Sequence, residues 1–366
     1  MKVAIVQDWL IVEGGAEKVL HEILNVYPEA DLFALIDFLP DSTRNKVLLG
    51  KKAKTTWLQK LPFIKHYYRN LLFLFPKAIE TFDLSEYDLI ISSSYCVAKG
   101  IKREKGRQLH ICYCHSPMRY AWDLKEQYLN DLGLIKKVFF KSIINRIAKW
   151  DLKTVDNVDH FIANSHNVQE RINRIYKREA FVIYPPADVS VFTFKEEKKS
   201  YYFTSCRMVP YKKVSLIVEA FALLPHLKLI VAGDGPELKS LIKKDIPNVE
   251  FLGFLAQNEL IEKIQNAKAY VLAANEDFGI TSIEAQACGT PVIALKKGGY
   301  LETVLNNETG VFFDEQTVIS LKETINDFEK NPLKINQDVL LRHIDDFTID
   351  SFKNKIEKYV TEKYND

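Results

Sequence analysis

The sequence predicts an α/β fold built from two doubly wound, parallel-sheet domains. Three observations carry that expectation. Apolar strand-like runs alternate with helix-like segments along the chain, which is the pattern of βαβ units. Runs such as LIIS (89–92) and LIVAG (229–233) are continuously apolar, as strands buried on both faces are. The series breaks at Tyr184-Pro185-Pro186, where proline stiffens the chain and holds the preceding residue extended. The strands of one closed barrel would not break there. A first domain over 1–184 and a second over 185–345 follow, with a tail of helical period over 346–366.

The strand runs come in order. The first half offers KVAIVQD, ADLFALI, YDLIISSS, QLHICYC and DHFIANS, and the second AFVIYPP, SYYFTSC, LKLIVAG, VEFLGF, AYVLAA and PVIAL. A length of 366 residues also exceeds what one ordinary core holds. At 47% apolar and 27% charged residues the chain reads as folded rather than disordered. The opening MKVAIVQDWL lacks the regions of a signal peptide, and no apolar run reaches the roughly 20 residues that span a bilayer. A cytoplasmic protein with reduced thiols is expected. Of its five cysteines (Cys96, Cys112, Cys114, Cys206, Cys288), Cys112 and Cys114 stand too close for a zinc or redox pair. Charge is uneven. Residues 1–184 hold 28 Lys/Arg against 21 Asp/Glu, and residues 185–366 hold 22 against 27, so the halves should meet different partners.

Four strand ends carry candidate chemistry. After the first strand, Gly14-Gly15 precede a helix from about Ala16. Glycine lets a backbone approach a ligand, and a helix start offers free N–H groups to an anion; a plain turn explains the pair equally well. It is not a GxGxxG fingerprint, which argues against a nicotinamide enzyme. After SYYFTSC, Arg207 and Lys212 stand at a strand end, where open α/β sheets bind ligands. They suit a diphosphate, the Arg by its fork and the Lys as a point charge, or they are solvated surface cations. After LIVA comes Gly233-Asp234-Gly235-Pro236, a turn by composition or an approach to a nucleoside. After AYVLAA, Glu276 sits in a crevice loop, with Gly279 leaving room for a ligand and a helix running from about Ile280 to Cys288. On that helix Glu284 shares a face with Ile280, Thr281, Ala287 and Cys288. A carboxylate there is costly without a partner, and either ribose hydroxyls or a buried cation would serve.

Glu276 and Glu284, seven residues between them, in EDFGITSIEAQACGTPVIA resemble the E-x7-E signature of retaining glycosyltransferases of family 4. Arg207 and Lys212 match that family's phosphate pair, and GDGPE, FLGF and GGAE resemble further landmarks in the same order. The likeness covers nearly the whole chain. CHSPMRYAWD and DWLIVEGGAEKVL are similar to bacterial O-antigen-type mannosyltransferases. The resemblance implies a GT-B fold, two Rossmann-like domains facing across a cleft, with the last helix packing back on the first domain. It implies a nucleotide-sugar donor, GDP-mannose or a UDP-sugar, held by the second domain. Arg207 and Lys212 would carry the diphosphate, Glu284 the ribose, and Glu276 the sugar hydroxyls, beside backbone amides of Phe278, Gly279 and Ile280. The base would lie near Gly235 and Phe254, Gly14 and Gly15 would let the first domain approach the phosphate, and His115 would stand near the reacting carbon. It further implies front-face substitution with retention. No metal or other cofactor is implied, because Arg207 and Lys212 do the cation's electrostatic work, and no DxD motif lies near the donor crevice.

Between Ser42 and Ile79 nine Lys/Arg stand without one Asp/Glu, interleaved with aromatic and aliphatic residues. Lys51, Lys52, Lys54, Trp57, Lys60, Lys65 and Arg69, with Arg119 further on, form a candidate surface for an anionic membrane and a lipid-linked or glycan acceptor. Nucleic acid is the disfavoured partner, and a core-packed helical pair with a solvated basic face is the bland alternative. The implied place is the inner face of the cell membrane, peripherally bound. Competing readings are a sugar-nucleotide epimerase or a phosphorylase of the same fold, and a non-catalytic binding protein.

Overall fold

The structure is a computed structural model that describes residues 1–123, 125 and 134–366. It divides into two compact units, residues 1–186 with 349–366, and residues 187–348.

The first unit holds seven strands: β1 (Val3–Gln7), β2 (Asp31–Ala34), β3 (Lys54–Thr55), β4 (Leu89–Ser94), β5 (Leu109–Cys114), β6 (His160–Ala163) and β7 (Ala180–Val182). All pair in parallel, in the order β3-β2-β1-β4-β5-β6-β7. Every residue of β1 and β4 is buried, as in strands covered on both faces. One cluster packs Val3, Ile5 and Leu89 against Val19, Leu20 and Ile23 of the helix Gly15–Val26. Phe352, Ile356 and Val360 of the helix Ile349–Asn365 join the same cluster.

The second unit holds β8 (Tyr201–Ser205), β9 (Lys228–Ala232), β10 (Val249–Gly253), β11 (Ala269–Leu272), β12 (Val292–Leu295) and β13 (Gly310–Phe313). They too are parallel, in the order β10-β9-β8-β11-β12-β13. The run AFVIYPP, grouped above with the second half, belongs instead to the first sheet. Its residues 180–182 pair with Phe161–Ala163 as that sheet's edge. Two strands escaped the sequence reading. β3 is only two residues long, and β13 (GVFF) has just four.

Both sheets reverse their winding beside their first strand, between β1 and β4 and between β8 and β11. At such a switch point the loops leaving the two strands part in opposite directions and open a crevice at the strands' carboxyl ends.

Candidate functional site

The second unit's switch point assembles from two loops. The loop after β8 carries Arg207, which is exposed, and ends in the turn Pro210–Lys212. Lys213, left-handed at φ +57°, then starts the helix Val214–Ala222. The loop after β11 carries Glu276. Its Oε1 accepts a hydrogen bond from Lys212 Nζ at 2.6 Å. Residues 64 positions apart thus meet across the crevice. Burial alone would lower the Lys212 pKa, but the Glu276 carboxylate outweighs it and the net shift is upward. Tyr270, on β11, braces the floor by donating from its hydroxyl to Ser205 O at 2.9 Å.

The neighbouring loops interlock with these two. Met208 N donates to Asp234 O at 2.9 Å, and Glu237 N donates to Met208 O at 3.2 Å. A Cβ on Gly235 would overlap the Met208 backbone. That glycine therefore serves loop packing directly, whatever ligand also passes there. Phe254, after β10, is 83% exposed at the same sheet end.

Gly279 needs a correction. It does not leave room for a ligand, because a Cβ there would sit 2.5 Å from the Tyr300 ring, and φ is +89°. Tyr300 fills that space and is itself buried. The loop bearing it, KKGGY after β12, was missed in the sequence although its double glycine is visible. Gly299 N donates to Glu276 O at 2.9 Å, and a Cβ on Gly298 would overlap that same carbonyl oxygen. The backbone of the KKGGY loop thus clamps the Glu276 loop.

The helix after Gly279 runs from Ile280 to Ala287, and Gly289 follows at φ +73°, a left-handed stop. Glu284 is half-buried on it, while Ala287 and Cys288 on its face are buried. Its charge adds to the burial that raises the Cys288 thiol to about 12. The Phe278 side chain is buried against Phe347, ring centroids 5.6 Å apart, so only its backbone remains for a ligand.

In the first unit, Gly14 and Gly15 head the helix Gly15–Val26, and nothing lies within 4 Å of where a Gly15 Cβ would be. Two acids missed in the sequence surround this turn. Asp8 is fully buried and accepts four backbone hydrogen bonds, from Tyr95, Cys96, Val97 and Ala98, at 2.6–2.8 Å. Burial raises its pKa to about 6 against the pull of those four bonds. Glu17, 5% exposed, is raised to about 7 by burial, with Asp8 adding repulsion and the N–H groups of Glu17 and Gly14 opposing.

His115 follows β5, with Nε2 2.8 Å from Ser93 Oγ. Burial lowers its pKa to about 3, so the ring is neutral. The rest of HSPMRYAWD is held structurally. Arg171 donates to Ser116 Oγ at 2.7 Å and pairs with Asp123 at 2.7 Å, and Trp122 Nε1 donates to Asp151 at 2.8 Å. Arg119 is half-buried on this turn, away in sequence from the basic segment.

The basic segment is less basic than its sequence. Arg44 is buried and pairs with Asp37 at 2.5 Å, Lys46 pairs with Glu13 at 2.8 Å, and Lys54 pairs with Asp31 at 3.2 Å. Lys54 thus leaves the candidate patch, because its charge is matched locally. Leu58, Ile64, Tyr68 and Phe75 are core. Trp57, Phe63 and Phe73 stay 36%, 82% and 50% exposed, close to Lys52, Lys60, Lys65 and Arg69 in the sequence, all exposed. Among the described residues no helix is long and apolar enough to cross a membrane, and no cluster of His, Cys, Asp and Glu is placed to hold a metal.

Two family models match in tandem. Residues 13–191 match the Glycosyltransferase Family 4 model, and residues 189–340 match Glycosyl transferases group 1. The chain belongs to glycosyltransferase family 4. The D-inositol 3-phosphate glycosyltransferase of Mycolicibacterium smegmatis is 24% identical over 218 residues, 52% of this chain and 50% of that one. The family 4 chain thus spans about half the length of this and several other curated relatives it matches. Among solved structures it resembles Anabaena HepE in complex with UDP-glucose (TM-score 0.72, 18% identity, 99% of this chain and 100% of that one). It also resembles sucrose-phosphate synthase from Thermosynechococcus elongatus (TM-score 0.76, 18% identity, the whole of both chains). The fold of this family 4 member is GT-B, with two Rossmann-like parallel-sheet units.

Proposed function

We propose that this chain is a retaining hexosyltransferase. It takes a hexose from a nucleotide-sugar and gives it to a lipid-linked or glycan acceptor in the making of a cell-surface glycan. The observation that carries the reading is the Lys212–Glu276 pair, 2.6 Å long, at the second sheet's switch point, on the loop that also bears Arg207. A diphosphate needs cations and a sugar needs hydrogen-bond acceptors, and here both stand a few ångströms apart.

In this reading Arg207 and Lys212 neutralise the diphosphate as the bond to the sugar breaks, the role of a preorganised electrostatic clamp. A divalent ion is then dispensable. Glu276 accepts from sugar hydroxyls and Glu284 from the ribose. His115, neutral at working pH, can accept from or donate to a sugar hydroxyl without adding charge. We favour GDP-mannose, on the motif resemblance. HepE, solved with UDP-glucose, supports a UDP-sugar as the second choice. Lys51, Lys52, Lys60, Lys65 and Arg69, with Trp57 and Phe63, would rest on an anionic inner membrane surface.

Thermal shift against GDP-mannose, UDP-glucose and UDP-N-acetylglucosamine tests the donor, since a ligand of the folded state raises the melting temperature by mass action. No shift with any of them would remove the reading. Product NMR then decides retention, and a β-linked product from an α-linked donor would refute it. Turnover of the nucleotide-sugar without an acceptor would favour an epimerase.

A further inference from the structure

Lys212 and Glu276 have opposite duties in the proposed reaction, one toward phosphate and one toward sugar, yet they bind each other. The pair is not a loose surface contact. The side chains are 24% and 17% exposed, the ammonium also lies 5.6 Å from the Tyr211 ring centroid, and the Glu276 backbone is fixed by Gly299. Lys212 keeps its proton at any working pH, because the carboxylate beside it raises its pKa.

A nucleoside diphosphate that draws on Lys212 competes with Glu276 for the ammonium's charge. Moving the ammonium to a phosphate takes a positive charge from a carboxylate with little water around it, which is unfavourable. An intact nucleotide-sugar compensates, because its hydroxyls donate to the Glu276 carboxylate. The free nucleoside diphosphate lacks the transferred hexose and cannot. From this we infer that Glu276 is a specificity-determining residue that sets the site against its own product. It makes an intact sugar donor bind better than the bare nucleoside diphosphate left after transfer, and so speeds product release. This rests on the nucleotide-sugar reading above and adds to it a role for Glu276 that is separate from contact with the sugar.

The test is calorimetric binding of UDP, GDP, UDP-glucose and GDP-mannose to the full chain and to Glu276→Gln, with Lys212→Gln and the double variant. Glu276→Gln keeps the side chain's size and removes its charge. It should bind the favoured nucleoside diphosphate roughly 3- to 10-fold tighter than wild type, the range of a partly buried ion pair released. It should also lose its preference for the intact donor. The gain should vanish in the Lys212→Gln background, where no ammonium remains to be freed. An unchanged melting temperature without ligand shows that the variant is folded. If Glu276→Gln binds the nucleoside diphosphate no tighter than wild type, the inference is wrong while the donor reading stands. If wild type binds none of the four, the donor reading fails and takes the inference with it.

Discussion

Glu17 offers a stability measurement whose sign is fixed in advance. It is 5% exposed and stands near the fully buried Asp8. Burial lifts its pKa from 4.5 to about 7. A carboxyl whose folded pKa exceeds its unfolded one holds an extra proton in the folded state between those values. Stability from this group therefore falls as pH rises from 4.5 to 7 and stays low above. At about 1.4 kcal/mol per pKa unit, the cost at pH 8 is about 3 kcal/mol, an upper figure. Glu17→Gln removes the titration and keeps the shape. The variant should come within about 1 kcal/mol of wild type at pH 5, where folded Glu17 is protonated, and exceed it by up to about 3 kcal/mol at pH 8. All four tryptophans (Trp9, Trp57, Trp122, Trp150) lie in the first unit, so urea unfolding followed by tryptophan fluorescence reports on the right one. A variant less stable than wild type at pH 8, or one with the same offset at both pH values, would refute the reasoning.

Other outcomes follow from single contacts. Lys99→Met strips the ammonium from Asp151, 2.9 Å away and fully buried, and should cost about 3–5 kcal/mol in the same urea assay, part of it regained by adding Asp151→Asn. Gly298→Ala puts a Cβ into the Glu276 carbonyl oxygen at φ +68°; it should weaken donor binding at least about tenfold by moving the loop, as calorimetry would read. Phe63→Ser should lower co-sedimentation with anionic vesicles while leaving the melting temperature unchanged, since that ring is 82% exposed. Excess EDTA should leave the transfer rate unchanged if Arg207 and Lys212 carry the diphosphate alone.

The fold was legible because helices cover both faces of these sheets, and burial on two sides leaves a one-letter record. LIIS and LIVAG can be little else. β3 was not legible, because two residues cannot show a period. The second unit's site was legible as far as it lies at strand ends, where composition is itself a signal. Lys212 and Glu276 were visible singly, but their pairing was not, since it joins positions 64 apart. The basic segment misled for a related reason. Asp37, Glu13 and Asp31, which neutralise Arg44, Lys46 and Lys54, all precede Ser42 in the chain. A tally over a window sees charge, not its partners. Asp8 reads as an ordinary polar residue at a strand end. Only the fold shows that it fastens the β4 loop through four backbone N–H groups.

The two switch points carry different charge, and in the proposed reaction that bears on which one takes the diphosphate. In the second unit the loops after β8 and β11 are held by Tyr270, by close-packed glycines and by the Lys212–Glu276 ion pair. Arg207 stands exposed there, and Lys212 already shares its ammonium with Glu276. In the first unit a buried carboxylate, Asp8, does the bracing, and Glu17 stands at the helix start beside Gly14. The N–H groups of Gly14 and Glu17 that could hold a phosphate already serve Glu17's own carboxyl. A phosphate coming to Gly14-Gly15 would face that acid, and would be repelled more as pH rises through about 7 and Glu17 ionises. In the proposed reaction the Gly14-Gly15 turn is therefore a poor anchor for the diphosphate. In that reading the anchor is Arg207 with Lys212, so Lys212→Gln should weaken nucleoside diphosphate binding far more than Gly15→Ala, which has open space for the added methyl. The reverse order in calorimetry would move the anchor to the first unit.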